Sequence, residues 1–531
     1  MSHEKQIQLL ILYHHLIFFM TNTAENNKRI AKNTLLLYFR MLFTMVVSLY
    51  TSRIVLNVLG VEDFGIYNVV GGIIAMLGFL TGSLSSASSR YITYALGKGN
   101  FKKLQETFAN IQAIHLLFAL IVVFLAETIG LYFLTNYIQI PTERENAAFW
   151  VFQFSVFTTS LSLISIPYNA SIIAHEKMGA FAYISIIEVT LKLIIAFLIQ
   201  VMVFDKLILY AILLCCVQVI IQTIYIIYCK RNFKETNTLP KIHREQFKEI
   251  IIFAGWTMNG NLALIGYTQG LNILLNMFFG PAVNAARGIA VQVQGVIQNF
   301  CINFQMALNP QLTKSYAQHD FAHMHQLLNI SSKFSFFLLF FISLPACLEA
   351  KLVLQWWLGV VPEHTVTFLR LILFSSLLGT LSNPLIVSVH ATGILKKFQL
   401  IEGSLLLLIV PIAYIGLKYF HFPPEYVFTV HIFIEIITQY ARLRIVLPMI
   451  KMQLKPYIKE VIYPILKVFI IAPVIPIASF IYTEENFITF LFICFSSIIS
   501  SLATIYLLGC STQERNFVNN KFKHYYLKTK K

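Results

Sequence analysis

Residues 53–72 read RIVLNVLGVEDFGIYNVVGG, and residues 82–100, a short step further on, read GSLSSASSRYITYALGKGN. The stretch is written twice. Residues 272–288 read NILLNMFFGPAVNAARG, where Asn276 answers Asn57, Gly280 answers the turn glycine Gly60, and Asn272 stands where the first copy has Arg53. Each copy follows one long apolar run, crosses a short turn, and continues as a second long run that ends in a polar loop, 97–100 or 317–320. Further out, Ser165, Pro167, Ser171, Ala174 and Phe181 return at one constant offset as Ser382, Pro384, Ser388, Ala391 and Phe398. A unit of about 200 residues has been duplicated, and in membranes internal repeats are how transporters are built.

The chain has 531 residues, 57% hydrophobic and 12% charged, with a mean hydropathy of +0.70, which excludes a soluble globular class. Apolar runs of about 20 residues recur, each long enough to cross the hydrocarbon core as a helix. Backbone groups in lipid must pair within their own segment, and the runs are too long and uniform for barrel strands. The expected fold is an all-α polytopic membrane protein with 14 transmembrane helices: two repeated six-helix bundles and two C-terminal helices.

The formal charge of +16 is topology rather than a nucleic-acid footprint, because the cations cluster in alternate loops. One set of loops carries Lys98, Lys102, Lys103, Lys177, Lys230, Arg231, Lys234, Lys241 and Arg244, Lys396 and Lys397, and the basic tail; the other carries Glu62, Asp63, Arg144, Lys206, Glu363, Glu484 and Glu485. Basic loops stay cytoplasmic during insertion, so both termini are expected in the cytoplasm. Seven cysteines show neither CxxC nor metal-ligand spacing and read as packing residues; no cofactor or metal is expected. Residues 7–20 are apolar but too short to span, and read either as sequence upstream of a true start at Met20 or as an interfacial helix.

Breaks at Gly, Pro and charge place the predicted helices at about 33–59, 65–96, 107–134, 148–173, 180–204 and 207–228, then 250–278, 284–316, 327–358, 365–391, 398–419 and 426–447, with the unrepeated pair at 462–482 and 487–508. The corresponding segments are an N-terminal stretch (1–32), a first bundle (33–228), a basic linker (229–249), a second bundle (250–447), the extra pair (448–510) and a tail (511–531). No extramembrane segment is long enough for a soluble catalytic domain. There is no P-loop and no nucleophile with a paired base, so the chain reads as a non-enzyme.

The first two helices of each copy are too polar to face lipid. Arg40, Thr44, Ser48 and Thr51 share one stripe, and Arg53 and Asn57 a second. In the seventh helix Asn261, Gln269, Asn272 and Asn276 step the same way. In the eighth, Arg287, Gln294, Gln298, Gln305 and Asn309 return to one face within about 40°. The second helix has Gly and Ser instead, ending in Arg90. Such residues can serve as helix-helix glue. An arginine buried without a carboxylate is costly, however, and no Asp or Glu lies within the apolar spans of these four helices. A water-filled, cationic, amide-lined cavity accounts better for Arg40, Arg53, Arg90 and Arg287. It suits an anionic, hydroxyl-rich cargo: guanidinium forks pair with phosphate, and Gln and Asn bond sugar hydroxyls. Arg90 can instead snorkel to lipid phosphates. Glu188 and Lys192, four apart, are expected to neutralise each other. Glu127, Glu402, Arg370 and Lys467 are expected to snorkel near helix ends. His431 and Glu435, four apart, are candidates for a coupling proton.

TSRIVLNVLGVEDFGIYNVVGG, SSRYITYALGKGN and NAARGIA together resemble the polysaccharide flippases of the multidrug/oligosaccharidyl-lipid/polysaccharide exporter superfamily, in wording most similar to Bacteroides-type lipopolysaccharide or capsule biosynthesis proteins. The resemblance spans the whole chain. It implies a MATE-like pair of bundles around a V-shaped cavity, with the last two helices guiding a lipid tail. The implied activity turns an undecaprenyl-pyrophosphate-linked oligosaccharide across the bacterial inner membrane. Membrane lipid and polysaccharide polymerases are the implied partners, without nucleic acid. Family arginines that bind the head group map to Arg40 or Arg53, Arg90 and Arg287. Asn272 and Pro310 stand where symmetry would offer further arginines, so the charge is weighted toward the first copy. The alternatives are a drug/cation antiporter of the same fold, a lipid II flippase, and a membrane glycosyltransferase or polymerase.

Overall fold

The structure, a computed structural model, describes residues 32–519 except 49, 52, 53, 56, 61, 62, 64, 65, 68, 69, 71–77, 137–139, 203, 359, 360, 483–485, 517 and 518, and gives the backbone alone at 78, 79, 276, 281, 282, 284, 285 and 358. Arg53 and the proposed start at Met20 lie outside the described residues. Those described are almost entirely helical and contain no strand.

The helices are α1 (32–60), α2 (Gly78–Gly97), α3 (Phe101–Asn136, with a π turn at Ala126–Gly130), α4 (Glu145–Ala174), α5 (Met178–Val201), α6 (Lys206–Asn232), α7 (Arg244–Gly280) and α8 (281–317). They continue as α9 (Phe321–Leu348), α10 (Thr365–Thr392), α11 (Lys396–Phe420), α12 (Tyr426–Met449), α13 (Leu454–Tyr482) and α14 (Phe487–Gly509). Ten are long and apolar enough to cross a membrane, counted over the described residues. The protein is a multi-pass membrane protein of all-α architecture.

The duplication is visible in bonding as well as sequence. Gly60 and Gly280 both take positive φ, 76° and 79°, a conformation open to glycine at little cost, so each copy turns its first helix pair at the same point. Asn100 caps α3 by accepting from the Lys103 amide at 3.1 Å, and Asp320 caps α9 by accepting from the His323 amide at 3.0 Å. Inside α4, Ser171 donates to the carbonyl of Pro167 at 3.0 Å; inside α10, Ser388 donates to that of Pro384 at 2.8 Å. In both copies the serine four residues beyond the proline thus bonds back to the proline's own carbonyl.

Packing divides the chain into two units, 1–248 with 306–310, and 249–305 with 311–531. In the first, α4 lies against α6, α3 and α2 over Phe108, Phe152 and Leu163, all fully buried. Its outer loops are joined by Arg144, whose Nε donates to Asp63 Oδ1 at 2.8 Å and whose Nη1 donates to Asp205 Oδ2 at 2.6 Å. The basic linker is tied to α3: the His243 amide donates to Asn110 Oδ1 at 2.8 Å, Asn110 Nδ2 to Gln246 Oε1 at 2.8 Å, and Gln246 Nε2 to Thr107 Oγ1 at 3.0 Å. Those bonds carry helix α7 back to Arg244, six residues earlier than the apolar pattern predicts. In the second unit, α12 packs on α10 and α11, and α9 packs on α10, α13 and α14. Its outer loops are joined by His364 Nδ1 and Glu425 Oε1, 2.5 Å apart.

Candidate functional site

Of the arginines expected at the site, Arg40 and Arg90 are described in the first unit and Arg287 in the second. In the first unit, Arg40 on α1 is half-buried, its guanidinium 4.6 Å from the centre of the Phe181 ring on α5. The stacking holds a cation against an aromatic face. Its stripe partners Thr44 and Thr51 spend their hydroxyls on their own helix, at Met41 O (3.0 Å) and Val47 O (2.7 Å). Arg90, near the end of α2, lies over Tyr91 at 4.2 Å and Tyr94 at 5.1 Å. Upstream of it, Ser83 and Ser88 are buried, and Ser88 bonds Leu84 O at 2.8 Å and approaches His115 Nε2 at 3.4 Å. This part of α2 acts as helix-helix glue.

In the second unit, Arg287 stands on α8 about two turns beyond the Gly280 elbow and reaches back to α7. Its Nη1 donates to Asn272 Oδ1, and its Nη2 to the Thr268 carbonyl at 3.2 Å. Asn272 Nδ2 in turn donates to Gln269 Oε1 at 3.0 Å. Among the described residues, no carboxylate forms an ion pair with Arg287. Gln269 is exposed and Asn261 half-exposed on α7; the side chain of Asn276 lies outside the described residues.

The glutamine stripe of α8 lands differently from Arg287. Gln294 donates to Gln298 Oε1 at 3.0 Å and to Ser376 Oγ on α10 at 2.8 Å. Gln305 donates to the Thr380 carbonyl at 3.0 Å and accepts from Asn383 Nδ2 at 2.8 Å. An amide offered to lipid would lose its hydrogen bonds, and α10 supplies the partners. Gln294 and Gln305 therefore join α8 to α10 within one unit, while Arg287, Asn272 and Gln269 form a separate polar group nearer the elbow.

One cluster was not anticipated. Arg442 on α12 is 5% exposed and donates through Nε to Glu402 Oε1 on α11 at 2.7 Å, and through Nη1 to Glu435 Oε1 at 2.6 Å and Ser382 Oγ at 2.7 Å. Glu402, expected to snorkel, is buried instead, because Arg442 gives it a partner away from water. His431 pairs with Ser375 at 3.4 Å and lies beside Tyr267, its ring centre 5.1 Å away. The missed signal was spacing: Glu435 and Arg442 are seven apart, two turns along one face. The Lys192–Glu188 pair forms as expected, at 2.6 Å.

A repeated multi-helix membrane architecture with cationic helix hairpins is that of a membrane transporter. The profile of the family described as "Polysaccharide biosynthesis protein" matches residues 30–316, more than half of the chain, and the chain belongs to that family. No curated protein matches it. Among solved structures, it is similar to MATE in the straight conformation (TM-score 0.67, 15% identity, 80% of this chain and 96% of that one). It is similar also to a multidrug resistance MATE family transporter of the MOP superfamily in an outward-facing conformation (TM-score 0.65, 14%, 79% and 96%). A MOP superfamily transporter from Pyrococcus furiosus, described as having a binding pocket of reverse polarity, matches at TM-score 0.63 and 13% identity, over 79% and 96%. At these identities the likeness establishes the fold.

Proposed function

We propose that the protein is a flippase that carries a polyprenyl-pyrophosphate-linked oligosaccharide across the bacterial cytoplasmic membrane, both termini cytoplasmic, in the assembly of a surface polysaccharide. The observation that carries the reading is Arg287: a guanidinium in a membrane helix whose hydrogen-bond acceptors are an amide and a backbone carbonyl. A cation held by neutral groups retains its charge for an anionic ligand, and the planar fork suits pyrophosphate. Arg40, Arg53 and Arg90 are assigned the same task on the first repeat. Asn261, Gln269, Asn276 and Gln298 supply amides suited to sugar hydroxyls, while Asn272 holds Arg287, and Gln294 and Gln305 join α8 to α10. The prenyl chain stays in lipid, and alternating access moves the head group. Membership of a polysaccharide biosynthesis family supports this cargo.

The test is a deletion strain complemented with wild type or Arg287→Ala at matched protein levels. Loss of surface glycan, with the lipid-linked intermediate accumulating on the cytoplasmic face, is the expected outcome; undiminished glycan with Arg287→Ala refutes the head-group assignment. A drug/cation antiporter is the second reading, favoured by the two buried carboxylates Glu402 and Glu435. It predicts unchanged glycan and altered sensitivity to cationic drugs in the deletion strain.

A further inference from the structure

We infer that Asn272 is a positioning residue: with Gln269 it holds the Arg287 guanidinium in place while leaving its charge free for a phosphate-bearing head group. The inference rests on the reading of Arg287 as an anion-binding residue. Three contacts make the cradle. Asn272 Oδ1 and the Thr268 carbonyl accept from the two terminal nitrogens of Arg287, and Gln269 Oε1 accepts from Asn272 Nδ2 at 3.0 Å. The last bond fixes the sense of the Asn272 amide, because turning its NH₂ group toward Gln269 directs its oxygen toward the guanidinium. Thr268 contributes its backbone alone, its hydroxyl being bonded to Leu264 O at 2.8 Å. The Nε of Arg287, also buried, makes no hydrogen bond among the described residues and remains a donor.

All these acceptors are neutral, and that decides what the cradle can do. A carboxylate at position 272 would form a bidentate, charge-neutralising pair and compete with any phosphate for the same fork. An aliphatic residue would leave the long side chain unheld, so that ligand binding would have to order it. An amide avoids both. In the first copy the matching position is Arg53, so the cradle belongs to the second repeat.

The experiment titrates farnesyl pyrophosphate, a short polyprenyl pyrophosphate, into the purified full-length protein in nanodiscs. Asn272→Asp is expected to weaken binding about tenfold or more at neutral pH, and Asn272→Gln, which keeps a neutral acceptor, to stay within about threefold of wild type. The double variant Asn272→Asp/Arg287→Ala should bind no worse than Arg287→Ala. Wild-type binding by Asn272→Asp beside a weakened Arg287→Ala would overturn the positioning role and leave the anion reading intact. A loss in Asn272→Asp that adds to the Arg287→Ala loss would overturn it as well. Wild-type binding by Arg287→Ala would instead remove the anion reading on which the inference rests.

Discussion

Arg442 shows how much one side chain can hold. It sits between two carboxylates on adjacent helices, with the Ser382 hydroxyl and the Gln439 carbonyl oxygen also on its Nη1. Removing one partner of a buried ion pair leaves the other charge stranded away from water, which costs far more than the intact pair contributes. Arg442→Ala is accordingly expected to destabilise the second unit by about 3–5 kcal/mol. The added changes Glu402→Gln and Glu435→Gln should recover part of that loss, and thermal melting in detergent reads both. A second residue-scale prediction concerns Asp205, outside the membrane. Burial pushes its carboxyl up, but hydrogen bonds from Arg144 and the Ile208 and Leu207 amides, with the charge of Arg144, more than offset this and hold it below the ordinary value. A depressed carboxyl stabilises the fold above its unfolded value, near pH 3.8, and the contribution is lost as pH falls through the lower, folded value. Protection factors for hydrogen exchange in the loops that Arg144 joins should thus be flat from neutrality to about pH 5 and fall below about pH 4. In Asp205→Asn that fall should be smaller.

At the scale of the helix, two kinds of glycine do different work. Gly280 has φ 79° and ψ −176°, and an added Cβ would meet no atom of the described residues within 4 Å, so Gly280→Ala should cost only a backbone conformation that is essentially glycine's own, about 1–3 kcal/mol. Gly270 is helical, but its Cβ would come within 2.6 Å of Val410 on α11. Gly270→Ala should therefore force α7 and α11 apart, at about 1–3 kcal/mol. The added change Val410→Ala should rescue Gly270→Ala and leave Gly280→Ala untouched; melting temperatures of the four variants decide this. The helices were legible in the sequence because apolar length and turn chemistry are local. Their ends were less so. The start of α7 moved to Arg244 because Asn110 and Gln246 are 136 residues apart in the chain, and their bond has no local trace.

At the scale of the molecule, α13 and α14 are anchored to the second unit through α9. Lys333, only 4% exposed, reaches Glu514 at 2.6 Å; Tyr457 donates to Ser332 at 3.2 Å, Asn329 to Glu460 at 2.7 Å, and Ser500 of α14 to the Ala472 carbonyl of α13 at 2.7 Å. Deleting residues from 454 onward would expose Lys333 and the buried serines 331, 332 and 335 of α9 to hydrocarbon, where unmet polar groups are costly. The truncated chain is expected to accumulate poorly and melt lower than wild type, whereas Lys333→Met/Glu514→Gln should keep most of the stability, because no charge is left stranded. Equal melting of truncated and full-length protein would show that α13 and α14 are independent of the second unit.

The sequence by itself determined the class, the duplication and the positions of the helices, because lipid imposes one length scale and one hydrogen-bonding rule on every segment, and both act along the chain. It also marked Arg40, Arg90 and Arg287 as cations in unusually polar helices. Only the tertiary structure decided what those polar residues meet. Gln294 and Gln305 turned to α10, Asn272 and the Thr268 carbonyl to Arg287, and Arg442 to Glu402 across 40 residues. Helical periodicity shows which residues share a face, but which neighbour covers that face depends on packing between segments distant in the chain, and a buried polar group's role follows from its partner.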